Sequence, residues 1–496
     1  MIMRPRAPQP GRSELDISGL LVRGGDERIA VDPGTGLNRY GCGAAPERAV
    51  AAFGSATCSV ISDSAQASLQ AMEERFRRQP RAAFRDIEAR RIRDELGRLC
   101  GLGPDASVVL APSGTDLHLI VADLVRGGER RPLVTIMPDP GETGRGVPMA
   151  LRGLRFGLDT PYGGPCIAGD VVPGAVQGQV VTIPLRLADG APRAAQTLDA
   201  DFDAACGRAV RAGGKVLLML VDCSKTGLVA PSLACAIDLK ARFGDAVDVL
   251  VDACQLRLSS ESLATYVDAG FLVIVTGSKF VSGPPFSGAL LLGAALADRL
   301  RRVPLSSGLA DYCARDDWPE DWSTRRFLPA ADNTGLLFRW QAALHELRAF
   351  RALPGHRVAA FLNDFGAAVT GCLDDEPAFE RLASPPLARG AAGEWDSFAT
   401  IFPFLLLNPG RAALSVDQTE LVFRALRDGR GGSPIHLGQP VSVGARHGRP
   451  LSALRLCASA RLVVEALTDA GGADRVIQRA SDTLARTARQ VRLTAG

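Results

Sequence analysis

The sequence predicts an α/β protein in which a large domain, built on a mostly parallel sheet between helices, is followed by a smaller α+β domain. Three observations predict it. Short runs that are apolar on both alternating faces recur through the first two thirds of the chain, as strands buried between helix layers do. Helical periodicities separate several of these runs, which is the alternation expected of a parallel sheet. From about Pro354 the pattern changes to helical material, a Gly/Pro-rich tract and a strand pair.

In chain order, residues 1–45 read as an N-terminal arm. Its first stretch, Met1 to Arg12, is rich in Arg and Pro and is followed by no apolar signal core, so no export signal is expected. From Ser68 to Leu102 apolar residues recur at three- and four-residue spacing (Leu69, Met72, Phe76, then Ile87, Ile92, Leu96, Leu99), which predicts helix ending at Gly101. Strands are predicted over Ser107–Ala111, Leu133–Met137, Val180–Leu185, Val216–Val221, Val247–Val251 and Leu272–Thr276. Between them fall helices such as Leu117–Val125, Asp201–Ala212 and Cys235–Phe243. The Gly- and Pro-rich piece from Gly157 to Gly178 reads as a long loop, a lid or a packed surface excursion. The large domain thus spans 46–330, a connecting helix 331–353, and the small domain 354–496. In the latter, strands at Ile435–Val443 and Leu451–Cys457 precede a final helix from Ala460.

Composition narrows the function classes. With 46% hydrophobic and 22% charged residues, the 496-residue chain is that of an ordinary globular protein. Basic and acidic residues number 57 and 54 and are interspersed, so no footprint for nucleic acid or an anionic membrane is expected. No apolar run approaches the ~20 residues of a membrane helix. Eleven scattered Cys without a CxxC pair favour reduced thiols in the cytoplasm, and five scattered His predict no metal site. One imbalance directs attention: only four of the basic residues are lysines, Lys215, Lys225, Lys240 and Lys279.

Three segments carry chemistry. A strand runs into Pro112-Ser113-Gly114-Thr115-Asp116 and then a helix. That turn offers free N–H groups, a helix dipole and a hydroxyl to a phosphate at Gly114 and Thr115, although Ser, Thr and Asp are also ordinary helix caps. Asp252 ends a buried strand, at the sheet edge where α/β proteins bind ligands. Lys279 follows another, in Thr276-Gly277-Ser278-Lys279. A phosphate cup, a carboxylate and a lysine in this order match pyridoxal 5'-phosphate, which needs a phosphate site, an anion against its pyridine nitrogen and an amine that carries it as a Schiff base.

These motifs resemble the fold-type I, aspartate aminotransferase superfamily of pyridoxal-phosphate enzymes, and within it the class V aminotransferase and cysteine desulfurase-like branch, over roughly Pro46 to the C-terminus. The resemblance implies a seven-stranded-type sheet, a homodimer and an amino-acid substrate. It implies that Thr276 and Ser278 join the phosphate site, Ser278 standing where many relatives have His. Gln255 would face the cofactor's phenolic oxygen, Ser224 would touch cofactor or substrate, and Arg455 would clamp the substrate carboxylate, with Arg446 and Arg449 as nearby alternatives. Two departures stand out. Where relatives place an aromatic group over the cofactor ring, this chain has Pro138 to Gly144, with Glu142 or Thr143 near that place. Where a second subunit donates Gly-Thr to the phosphate, this chain has Ala330-Ala331, with Asn333 and Thr334 nearby.

The expected function is therefore transformation of an α-amino acid through an external aldimine, by an aminotransferase or a carbon–heteroatom lyase or replacement enzyme, in specialised biosynthesis. The alternatives are a cysteine desulfurase-like enzyme, for which Cys313 is the one loop-borne thiol after Lys279, and a non-catalytic dimeric relative.

Overall fold

The computed structural model describes residues 16–47, 49–127, 129–387, 389 and 394–495. In chain order the strands are β1 (Ala51–Phe53), β2 (Ser107–Ala111), β3 (Leu133–Pro138), β4 (Asp159–Thr160), β5 (Gly164–Pro165), β6 (Gln179–Ile183), β7 (Lys215–Asp222), β8 (Val229–Ala230), β9 (Val247–Ala253), β10 (Leu272–Thr276), β11 (Gly288–Leu292), β12 (Phe379–Arg381), β13 (Ile401–Leu406), β14 (Ile435–Arg446) and β15 (Arg449–Cys457).

The large sheet has the order β2-β11-β10-β9-β7-β3-β6, with β8 beside β7. β10, β9, β7, β3 and β6 are parallel to one another, and β11 runs antiparallel between β10 and β2. Successive residues of one strand serve different cores. Val108 and Leu110 pack with Phe84, Ile92 and Phe202 on one face, whereas Val109 and Ala111 pack with Leu117, Ile120 and Trp318 on the other. That is why the strands read as continuous apolar runs. β11 has no counterpart among the strands that the sequence predicts, although Ala289–Leu292 within it is apolar.

Parallel direction has a consequence for chemistry. The carboxyl ends of β2, β3, β7, β9 and β10 lie at one edge of the sheet, so the loops that begin at Pro112, Asp139, Cys223, Cys254 and Gly277 converge there.

The smaller sheet has the order β1-β14-β15-β13-β12 and packs on the helices Gly355–Asp375, Val416–Arg427, Ala460–Thr468 and Gly472–Ala495. β1, in the stretch that the sequence division places in the large domain, pairs in parallel with β14 of this sheet. The helix Thr334–Arg351 joins the two halves, and Trp340 anchors it by donating from Nε1 to the Gly288 carbonyl at 3.1 Å.

Two long predicted helices are interrupted. The first becomes Asp63–Ser68, Gln70–Arg78 and Arg81–Leu99, the last break falling at Pro80, where a ring without N–H disfavours a continuing helix. The C-terminal one breaks between Thr468 and Gly472, at Gly471 with φ +63°. The Gly157–Gly178 segment is a packed excursion: it contains the β4–β5 hairpin, buries Val172, and accepts a hydrogen bond at Pro173 from the Gly308 N–H at 2.8 Å.

Candidate active site

The convergent loops surround a cavity of about 980 Å³. At one end Ser113 caps the helix Gly114–Arg126, its Oγ accepting from the Asp116 N–H at 3.3 Å and donating to Asp116 Oδ2 at 2.6 Å. Gly114 is needed for a close approach: a Cβ there would stand 2.6 Å from Cys254 Sγ. Thr115 and Ser113 accept hydrogen bonds at 3.3 Å each from the two terminal nitrogens of Arg28. This guanidinium arrives from the N-terminal arm, is paired with Asp26 at 2.8 Å, and lies over the rings of Phe286 and Phe156 at 5.0 and 5.8 Å. Burial and the neighbouring Asp26 push the Asp116 carboxyl up to about 7, against the pull of Arg28 and Ser113.

The cavity floor holds Asp252 and Lys279. Asp252 ends β9, accepts from the Cys254 N–H at 3.1 Å, and faces His118 Nε2 at 3.4 Å. His118 comes from the capped helix one turn after Gly114, and its Nδ1, 2.6 Å from the Gly114 carbonyl oxygen, donates there. Burial works against ionisation of Asp252, but the facing His118 and then Lys279 hold its carboxyl well below the usual carboxylate range. Lys279 follows β10 and has no carboxylate partner among the described residues. Its backbone carbonyl accepts from Ser59 Oγ at 3.3 Å.

The other predicted residues divide. Gln255 lines the cavity while donating to the Ala56 carbonyl at 3.1 Å. Thr276 lines it as well, although its hydroxyl is given to the Cys254 carbonyl at 2.6 Å, whereas Ser278 makes no hydrogen bond among the described residues. Glu142 and Ser224 meet each other: the Ser224 hydroxyl donates to the Glu142 carboxylate at 2.7 Å, as do Thr226 at 2.6 Å and Arg186 at 2.7 Å. This buried cluster ties the loop after β3 to the loop after β7. Thr143 lines the cavity with a buried, unpartnered hydroxyl. Asn333 caps the joining helix and Thr334 bonds to Asp332, and neither lines the cavity.

The opposite wall carries Arg455, on β15 of the small sheet, 2% exposed. It donates to the carbonyls of Lys225, at 3.2 Å, and of Gln439, and its Nε has no partner. Arg446 is held by Glu380 at 2.8 Å. Cys313 is buried away from the cavity and donates to the Leu309 carbonyl at 3.3 Å. Among the cavity residues to which the sequence assigns no role are Arg28, His118, Lys225 and Cys58, whose sulfur lies 3.3 Å from that of Cys42. Lys225 alone carried a signal, as one of four lysines.

No family model matches the sequence, and no curated protein does. Solved structures share the fold. A complex of the cystine C–S lyase C-DES with its reaction product cysteine persulfide superposes with a TM-score of 0.54 at 15% identity, over 87% of this chain and 97% of that chain. A mutant of C-DES with glycine covalently linked to its pyridoxal-phosphate cofactor gives 0.53 at 15%, over 87% and 96%. A NifS-like protein gives 0.53 at 12%, over 88% and 100%. The chain shares the fold of these structures.

Proposed function

We propose that this chain is a pyridoxal-phosphate-dependent enzyme that transforms an α-amino acid, as an aminotransferase or a carbon–heteroatom lyase or replacement enzyme. The observation that carries the reading is one cavity holding a buried, ionised Asp252, an unpaired Lys279 and a phosphate-sized turn at Ser113–Thr115. The donor set fits the cofactor. Gly114 leaves a cradle that a Cβ would fill, and Asp252 has only a histidine facing it at 3.4 Å, so a protonated ring nitrogen would find an anion waiting.

The bound cofactor supplies an electron sink for charge that develops at the substrate's α-carbon. The chain's own residues do the rest. Arg28, Ser113 and Thr115 hold the phosphate, to which Arg28 brings a cation that neither Ser278 nor Ala330-Ala331 can provide. Asp252 keeps the proton on the ring nitrogen, and His118, fixed by the Gly114 carbonyl, orients Asp252. Lys279 is the attachment amine and then moves the proton at the α-carbon. Arg455 orients the α-carboxylate.

The reading includes a homodimer in the cytoplasm. All eleven cysteines are free thiols, which suits a reducing compartment.

Reconstitution with pyridoxal phosphate should give a visible or near-ultraviolet absorption band, and borohydride reduction with peptide mapping should place the pyridoxyl group on Lys279. Absence of the band, or labelling of Lys215, Lys225 or Lys240, overturns the reading. Sedimentation of a fully active monomer would remove the dimer.

A further inference from the structure

The wall that faces the substrate carries more positive charge than an α-carboxylate needs. Arg455 is buried with no carboxylate within 4 Å among the described residues, its Nε unpartnered and its other nitrogens spent on neutral groups: the carbonyls of Lys225 and Gln439 and the Thr57 hydroxyl. Lys225 stands beside it, half-buried, with its ammonium reaching only the Gly141 carbonyl at 3.5 Å. Two other lysines, Lys215 and Lys240, sit on Asp248 at 2.7 and 3.2 Å. Lys225 lacks any such anion, as does the exposed Arg145 on the same cavity wall.

The nearby carboxylates are not available to balance this charge. Glu142 is taken by Arg186, Ser224 and Thr226, and Asp252 faces His118. Burial, and then the neighbouring Arg455 and Lys279, push the Lys225 ammonium down to about 8 against the pull of Glu142. A half-buried cation with no counter-ion costs stability that a purely structural residue would not retain by design. The phosphate cup at Ser113 and Thr115 already has a cation of its own, Arg28, which Asp26 pairs at 2.8 Å.

We propose that the substrate is an acidic amino acid, whose α-carboxylate is taken by Arg455 and whose side-chain anion is taken by Lys225 and Arg145. This deepens the proposed function and rests on it. A second carboxylate, sulfonate or similar anion there would hydrogen-bond to the Lys225 ammonium, and the Glu142 cluster fixes the loops on which Lys225 and Arg145 stand.

The test titrates the reconstituted protein with paired ligands, aspartate against asparagine and glutamate against glutamine, and reads the change in cofactor absorption at equilibrium. At least one acid should bind ~10-fold or more tightly than its amide, the size of a hydrogen bond to a charged group. Lys225→Met should abolish that preference while leaving the affinity for the amide nearly unchanged, and Lys225→Arg should retain it. Arg145→Met is the second variant, with a smaller loss, and the cofactor band of each variant reports that the site has folded. Equal weakening of acid and amide by Lys225→Met would show that Lys225 serves the α-carboxylate and would overturn the proposal. So would a wild-type protein that binds each amide as tightly as its acid. A cofactor band that no amino acid perturbs would instead sink the amino-acid reading itself.

Discussion

The two ends of the cavity are built on opposite electrostatic plans. At the cofactor end the cation is paired and held: Arg28 has Asp26 beside it, two aromatic rings under it and two hydroxyls in front of it. At the substrate end the cations Arg455 and Lys225 have backbone carbonyls but no carboxylate. The difference matches residence time. A group that stays through every turnover is served by a site that is complete and rigid beforehand, which lowers the ordering cost of binding. A ligand that must arrive and leave can itself be the missing charge, so its binding is driven by relief of an unfavourable buried field.

The largest effects should come from the floor that both ends share. Lys279→Ala removes the base at the α-carbon, and turnover should fall by ~10³-fold or more. Asp252→Asn keeps the shape and removes the charge, and single-turnover rates should fall by orders of magnitude while thermal stability survives, because the loss lies in the developing charge and not in packing. Wild-type rates in either variant would mean that the floor is not shared, and the comparison between the two ends would lose its common centre.

Arg28→Met sharpens the comparison at the cofactor end. If Arg28 contacts the phosphate, the cofactor dissociation constant should rise ~10- to 100-fold, the loss of a hydrogen bond to a charged group. If the residue only ties the arm to Ser113 and Thr115, the melting temperature should fall and cofactor affinity should stay unchanged. Titration by absorbance together with a melting curve separates the two outcomes, and Arg28→Lys should restore the charge without the fork.

How legible these ends were in the sequence follows from how local their signals are. Ser113 to Thr115, Asp252 and Lys279 each sit at a strand's carboxyl end, and the strand announces itself by apolar residues on both faces, so the position is readable before any coordinate is known. Six strands of the large sheet, β2, β3, β6, β7, β9 and β10, were legible for the same reason; β11, the two-residue β8 and, in the smaller sheet, the three-residue β1 were not. Arg28 was invisible because it is one of many Arg in a segment with no regular pattern, and it reaches the cup from 85 residues upstream of Ser113. His118 lies in an apolar helix, where a histidine reads as core. Its role comes from β9, 134 residues away by number, and no spacing rule links the two. Glu142 was noticed for its position, but its partners Arg186 and Thr226 stand on other loops that only the parallel sheet brings together.

The smallest expected effect concerns Asp116, which sits in the first turn of the helix behind the phosphate cup. Burial and Asp26 raise its pKa from the ordinary 3.8 to about 7. Between pH about 4 and about 7 the native state therefore binds the extra proton that the unfolded chain has lost, and this group's contribution to stability falls as pH rises through that window. Above about 7 the carboxylate is charged, and it then repels a phosphate brought to Ser113 and Thr115. Cofactor affinity should accordingly weaken as pH rises through 7. The phosphate's own second ionisation, near pH 6, works in the opposite sense in every variant, so the informative quantity is a ratio. Asp116→Asn preserves an oxygen that can accept from Ser113 Oγ and removes the titration. The affinity of the variant relative to wild type should be near constant below pH 6 and should climb to ~5-fold by pH 8.5, about 1 kcal/mol of relieved repulsion. A ratio that stays flat across this range would place the phosphate too far from Asp116 to feel it, and the cofactor end would then have to be redrawn around Ser278 and Thr276 instead of Arg28.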